Sequence, residues 1–263
     1  MMKEESVSNS YGWGSNEIAL GQASPVSQKI TMQLGYPCRI FSSKADYEEV
    51  MNAYEQAVLQ GQREGFLPVL VPADDVLEEY LGIMKEEGYC VEDAIKSKLE
   101  NGGDWLKVRM GEYAEEEAEG YPEDEFAGEF QEEPMEVDTY TAFRDFRTQG
   151  IVETILLQVP TTKPWELAAY IPFGGWNECP EVKTMMAVCK YWFERYGAVP
   201  VTISHDVMEM RVPEPVAGRD SMRAAREHFA FCPDRVLECT ETGTLSELAA
   251  SIAASKIWYF WWD

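Results

Sequence analysis

The chain has 263 residues, with 47 Asp and Glu against 22 Lys and Arg, and a formal net charge of −25. At 45% apolar and 26% charged residues it holds enough material for one large domain or two small ones. The charge argues against nucleic acid and anionic membrane as direct partners, because phosphate recognition needs a basic footprint; it fits a highly soluble protein or one that meets a basic partner.

No stretch approaches the roughly 20 apolar residues of a membrane span. The opening MMKEESVSNS lacks the apolar core of a signal peptide. A cytoplasmic location is therefore expected, with Cys38, Cys90, Cys179, Cys189, Cys232 and Cys239 kept as thiols. None of them forms a C-x-x-C pair and only two histidines exist, so no metal site and no cofactor is implied.

Residues 1–36 show no clear period and are expected to be irregular. Residues 37–110 read as strand, helix, strand, helix. Cys38–Phe41 is a short strand, and Asp46 with Glu49 has the spacing of a capping box. Tyr47, Val50, Met51, Tyr54, Ala57 and Val58 then recur at helical intervals. FLPVLVP (66–72) reads as a buried strand in which Pro68 hints at an edge or a bulge, and 76–87 as an amphipathic helix. A strand–helix–strand unit of this length predicts parallel pairing.

Residues 111–150 form an acidic linker or excursion. From Glu112 to Asp138 there are thirteen acidic residues and no basic one. Self-repulsion, prolines and glycines oppose packing there, although Tyr113, Tyr121, Phe126 and Phe130 leave room for docking on a surface.

Residues 151–263 read as a C-terminal α/β domain. The spacing predicts strands at 153–159, 165–171, 199–204 and 207–212, and helices at 180–196 and 221–231. Thr244 and Glu247 open a further helix. The last segment, IWYFWWD, is apolar on both faces and predicts an interior strand covered on both sides. The whole is expected to be an α/β fold. The expectation is a central mixed, largely parallel sheet with helices on both faces and a long acidic loop in the middle; the N-terminal unit either shares that sheet in one composite fold, the preferred reading, or forms its own lobe.

The segments VPTTKPWELAAYIPFGGWNECP, YWFERYGA, FCPDRV and WYFWWD resemble a bacterial family known as a domain of unknown function (DUF4253). The likeness runs from about Ile155 to Asp263. It implies an α/β domain in a cytoplasmic bacterial protein and brings no reaction with it.

Four places are candidates for chemistry. In PFGGWNECP, the pair Gly174-Gly175 allows backbone N–H groups to converge beside Trp176 and Asn177. There Cys179 would cap the following helix, whose dipole could activate its thiol. The plainer reading is a tight turn with a capping residue. Second, His205-Asp206 between two strands offers a general base, and Cys179 with His205 a thiol–imidazole pair; the alternative is ordinary turn chemistry. His228 reads as a partly exposed helix residue. Third, Arg219, Arg223 and Arg226 share one helix face, where they either pair with surface carboxylates or meet an anion, a protein, or the acidic linker. Fourth, Trp261, Trp262 and Asp263 reach the edge where ligand crevices form if the last strand runs parallel to its neighbours, and carboxylate with indole N–H could there bind a cation or polar ligand. The alternative there is a core plug and a salt bridge.

The sequence has no G-x-G-x-x-G, no P-loop, no G-x-S-x-G and no H-E-x-x-H. Three function classes compete. The first is a protein-binding or inhibitory, immunity-like acidic module that masks a basic partner. The second is a thiol-dependent transferase or hydrolase using Cys179, His205 and Asp206. The third is a small-ligand-binding regulatory domain.

Overall fold

The computed structural model describes residues 16–117, 127–129, 134 and 136–263. It begins with β1 (Glu17–Ile18), α1 (Pro25–Leu34), β2 (Cys38–Phe41), α2 (Tyr47–Glu64) and β3 (Leu67–Pro72). Three helices follow: α3 (Asp75–Glu86), α4 (Val91–Lys96) and α5 (Gly102–Glu117). A small hairpin of β4 (Arg144–Asp145) and β5 (Gly150–Ile151) precedes β6 (Thr154–Val159), α6 (Leu167–Tyr170) and α7 (Val182–Tyr196). The chain closes with β7 (Val199–Ile203), β8 (Val207–Arg211), α8 (Arg219–Phe231), α9 (Asp234–Leu237), α10 (Leu245–Ala254) and β9 (Ile257–Trp261).

Local chemistry sets most of these boundaries. The Asp46 carboxylate accepts from the Glu49 N–H at 2.8 Å, and the Thr244 hydroxyl accepts from the Glu247 N–H at 3.3 Å, as the capping spacings predict. Gly65 and Gly197 end α2 and α7 in the left-handed region that favours glycine. The region 1–36 is not wholly irregular. Ser24 caps α1, Pro25 takes its first position and Gly35 ends it. Its period is hidden because Ser27 and Thr31 share the buried face with Ile30.

Seven strands form one sheet in the order β1-β2-β6-β3-β7-β8-β9, so both halves of the chain share a single sheet. It is mixed as expected but not largely parallel: antiparallel pairing predominates, and among the described residues only β3 and β7 pair in parallel. The unit β2–α2–β3 keeps its two strands in one direction, but β6 enters between them, antiparallel to both. A crossover helix fixes the relative direction of two strands and does not stop a third from separating them. β3 is accordingly interior rather than an edge, despite Pro68.

Side-chain alternation sorts the core into layers. Val69, Val71, Ile155 and Leu157 face the larger cluster, which contains Leu77 of α3 and Met185, Val188 and Trp192 of α7. Leu70, Leu156, Phe41 and Val201 face the other cluster, which contains Val50, Ala53, Tyr54 and Ala57 of α2. Helices thus cover both faces.

Three local expectations change. Residues 165–171 form a 3-10 turn (Pro164–Glu166) and α6 instead of a strand, because a short, mostly buried run carries no decisive period. The start of the acidic stretch is helical: α5 runs to Glu117, anchored by Met110 and by the Tyr113 ring, 5.1 Å from that of Phe229. The expected linker beyond it, 118–126 and most of 130–135, lies outside the described residues. Lastly, among the described residues β9 is an edge strand paired only with β8. Its two apolar faces reflect cover above and below, since Trp258, Phe260 and Trp262 enter the larger cluster and Ile257 the other. Trp192 sits among these rings, 5.6 Å from Trp258 and 5.2 Å from Phe260.

Candidate functional site

Strand direction places the candidate site. β7 is parallel to β3, and β9, antiparallel to β8, runs the same way as both. The carboxyl ends of these three co-directional strands lead to Asp74, to His205-Asp206 and to Trp261–Asp263. Ligand crevices in α/β sheets form at such ends. A cavity of about 330 Å³ opens there, lined by Val76, Tyr80, Trp176, His205, Asp206, Trp261, Trp262 and Asp263. Four separate stretches of sequence meet in it.

Asp74 links helix and cleft. One carboxylate oxygen caps α3, accepting from the N–H groups of Val76 (2.8 Å) and Leu77 (3.2 Å). The other pairs with Nδ1 of His205. Asp206 lies 3.4 Å from the same nitrogen. Burial disfavours the imidazolium, but the Asp74 hydrogen bond and the charges of Asp74 and Asp206 outweigh it and raise the His205 pKa. Burial likewise opposes the Asp74 carboxylate, and the His205 bond with the backbone donors reverses this and lowers its pKa. Nδ1 being engaged, the ring turns Nε2 to its other side as the remaining proton-exchanging atom.

Asp206 is held from two sides. It accepts from the Ser204 hydroxyl at 2.8 Å and from the Trp261 indole N–H at 3.0 Å. Asn177 donates to the main-chain oxygen of Asp263, and the Asp263 N–H donates to Asp234 at 3.2 Å. Trp262 is buried, its ring 5.4 Å from Phe231 and 5.9 Å from Phe173, so it is both core plug and cleft wall. Among the described residues Asp263 has no ion pair within 4 Å, contrary to the plainer reading of a salt bridge.

The glycine turn supports this arrangement. Gly174 has φ +92°, and a Cβ there would stand 2.3 Å from the Pro180 carbonyl oxygen, so only glycine fits. Its carbonyl accepts from the Tyr80 hydroxyl at 2.6 Å, and the Gly175 N–H is used by the Cys179 carbonyl at 3.0 Å. The Gly175 N–H is therefore committed within the turn and is not free for an anion. Glu181, not Cys179, occupies the N-cap of α7. Cys179 is buried below the turn, and burial pushes its thiol well up, with Cys232 and Asp206 adding to the shift. A thiolate nucleophile needs the opposite environment.

The remaining candidates lie elsewhere. Arg223 and Arg226 border a second groove of about 730 Å³, whereas Arg219 is exposed outside it. Arg223 pairs with Asp220 at 2.8 Å. His228 is fully buried rather than partly exposed, its ring 4.5 Å from Trp258 and 4.7 Å from Phe260. Among the described residues neither ring nitrogen has a hydrogen-bond partner, and burial, then the Arg235 charge, pulls its pKa well down.

Sequence reasoning missed Asp74 and Tyr80. Asp74 carried a signal as an acidic residue before an amphipathic helix, but only for its capping oxygen. Asp74, His205 and Asp206 offer one ligand atom each, all within 4.8 Å, a set of oxygen and nitrogen donors suited to a divalent cation.

No helix among the described residues is long and apolar enough to cross a membrane. Comparison with curated proteins and with solved structures finds no match. A family model described as "Domain of unknown function (DUF4253)" matches residues 155–263. That span contains Trp176, His205, Asp206 and the 261–263 segment, while Asp74 and Tyr80 come from outside it, so the cleft is completed by the N-terminal half. The C-terminal region, residues 155–263, is thus a DUF4253-like domain.

Proposed function

We propose that this protein is an acidic binding module that captures a positively charged group, presented by a basic partner protein, in the cleft at the strand ends. The carrying observation is the meeting of carboxylates and aromatic rings in one cavity. Asp206 and Asp263 line it beside Asp74, with the rings of Tyr80, Trp176 and Trp261 as walls. Even with His205 protonated, three carboxylates leave two negative charges uncompensated. Indole faces attract ammonium and guanidinium groups, worth about 0.5–2 kcal/mol each as the site is desolvated. A cavity of about 330 Å³ suits one side chain rather than a large ligand. The net charge of −25 would hasten encounter with a basic partner.

In this reading the protein works in a bacterial cytoplasm, and occupying a basic side chain of the partner is how it inhibits. The thiol-enzyme reading is not favoured, because Cys179 is buried with a raised pKa.

The test is a tryptophan-fluorescence titration of the native protein with butylammonium and with a tetralysine peptide. Both should give saturable changes, weaker at high salt, that are lost in Asp206→Asn and reduced in Trp261→Phe. Titrations unchanged by Asp206→Asn, or no response to either probe, would discard the proposal.

A further inference from the structure

Away from the cleft, three helices bring four cations to one groove. Lys107 comes from α5, Arg195 from α7, and Arg223 and Arg226 from α8. Four of its ten lining residues are cationic, in a chain with 22 Lys and Arg among 263 residues, so the groove reverses the character of the molecule. Its walls are apolar: Leu106 and Met110 of α5 face the Tyr191 ring of α7.

Internal pairing leaves part of this charge uncommitted. Arg195 and Arg223 share the single carboxylate of Asp220, at 3.1 and 2.8 Å. Lys107 has only an exposed contact of 3.4 Å with Asp104 on its own helix, of a kind that contributes little. Arg226 has no ion pair among the described residues. The one acidic lining residue, Glu227, is already engaged as an acceptor for Tyr191 Oη (2.8 Å), Trp192 Nε1 (3.0 Å) and Tyr196 Oη (3.2 Å).

We infer that this groove is a second, independent binding site, for a phosphorylated small molecule with an aromatic or apolar body. Guanidinium forks match phosphate oxygens two at a time, and a phosphate brings more negative charge to several cations than a single carboxylate does. At about 730 Å³ the groove is within the range of small-molecule sites. The apolar walls hold the body of the ligand while the arginines take its phosphate.

Gly111 provides a clean probe. It lines the groove in the middle of α5, and a Cβ built on it meets nothing within 4 Å. A larger side chain there enters the groove, and replacing an interior helix glycine should not weaken the helix. Gly103 is unsuitable, since its Cβ would stand 2.7 Å from the Tyr191 ring.

The experiment is calorimetric titration of the full chain with 1-naphthyl phosphate, inorganic phosphate and 1-naphthol. The phosphate ester should bind at least about tenfold more tightly than either fragment, because each fragment forgoes one half of the site. Arg226→Glu should weaken it about tenfold or more, through lost attraction and added repulsion. Gly111→Leu should abolish binding with no fall in Tm, and Asp206→Asn should leave it unchanged. The inference fails if the ester does not bind, if it binds no better than inorganic phosphate, or if neither groove variant alters its affinity.

Discussion

The cleft and the groove are opposite solutions to making a site in one acidic chain. The cleft is acidic and sits at the carboxyl ends of β3, β7 and β9, where backbone direction alone delivers Asp74, His205 and the 261–263 segment together. Its groups are tied to each other and to the core through Asp74, Ser204, Trp261 and Trp262. The groove is basic, lies between helices, and takes its cations from long, exposed side chains. Sites on strand ends inherit the rigidity of the sheet, whereas sites on helix faces depend on which residues happen to stand at i, i+3 and i+4. Damage to the sheet should therefore destroy the cleft, and surface changes should retune the groove without unfolding anything.

The largest effect is expected from Trp262→Ala. Its ring is buried against Phe173, Phe231 and Phe260, and its loss should cost about 3–5 kcal/mol in urea denaturation. If the variant folds, it should lose the response to butylammonium and keep groove binding. Loss of both would mean that the two regions are not independent.

Glu209→Ala comes next. This buried carboxylate on β8 accepts from the Thr141 N–H and hydroxyl, the Ala142 N–H and the Thr202 hydroxyl, tying the segment after the acidic stretch to the sheet. Stranding those donors should cost about 2–4 kcal/mol, read by thermal or urea unfolding.

A smaller change should follow Asp74→Ala, about 1–3 kcal/mol, from the lost cap of α3 and the lost His205 partner. Its pH dependence sharpens the assignment. The raised His205 pKa gives stability that is full below 6.5 and is lost as pH rises through the higher folded value. The lowered Asp74 pKa gives stability that is full above 3.8 and is lost as pH falls through the lower folded value. The gap between wild type and Asp74→Ala should thus be widest between about pH 4 and 6.5 and narrow on either side. A gap that stays unchanged up to pH 8, instead of narrowing as His205 loses its proton, would mean that His205 does not depend on Asp74.

The least disruptive test is thiol alkylation at neutral pH. Cys179, Cys189 and Cys232 are buried and should react far more slowly than Cys90, which lies partly exposed at the surface. Rapid labelling of Cys179 would show that the turn beneath the cleft opens, and would return thiol chemistry to consideration.

Much of this was legible beforehand because it depends on near neighbours. The capping spacings at Asp46 and Thr244, the glycine stops at Gly65 and Gly197, and the alternating faces of IWYFWWD each need only a few consecutive residues. Trp176, Asn177, His205, Asp206, Trp262 and Asp263 were each individually conspicuous, and the structure brings them to one cleft. What misled was also local. Residues 165–171 are mostly apolar without a period, and Ser27 and Thr31 hide the buried face of α1.

By itself the sequence determined the class of fold, most of the elements, and the residue types from which a site could be made. Hydrogen-bond spacing and side-chain periodicity are short-range, and they are written in the chain. Only the tertiary structure decided that β6 parts β2 from β3, that β9 lies at an edge, and that Asp74 meets His205 across 131 residues of sequence. It also decided that Cys179 is buried while Arg195, Arg223 and Lys107 gather around one groove. Strand order and burial arise from the joint packing of distant segments, and no local pattern encodes which distant segment arrives.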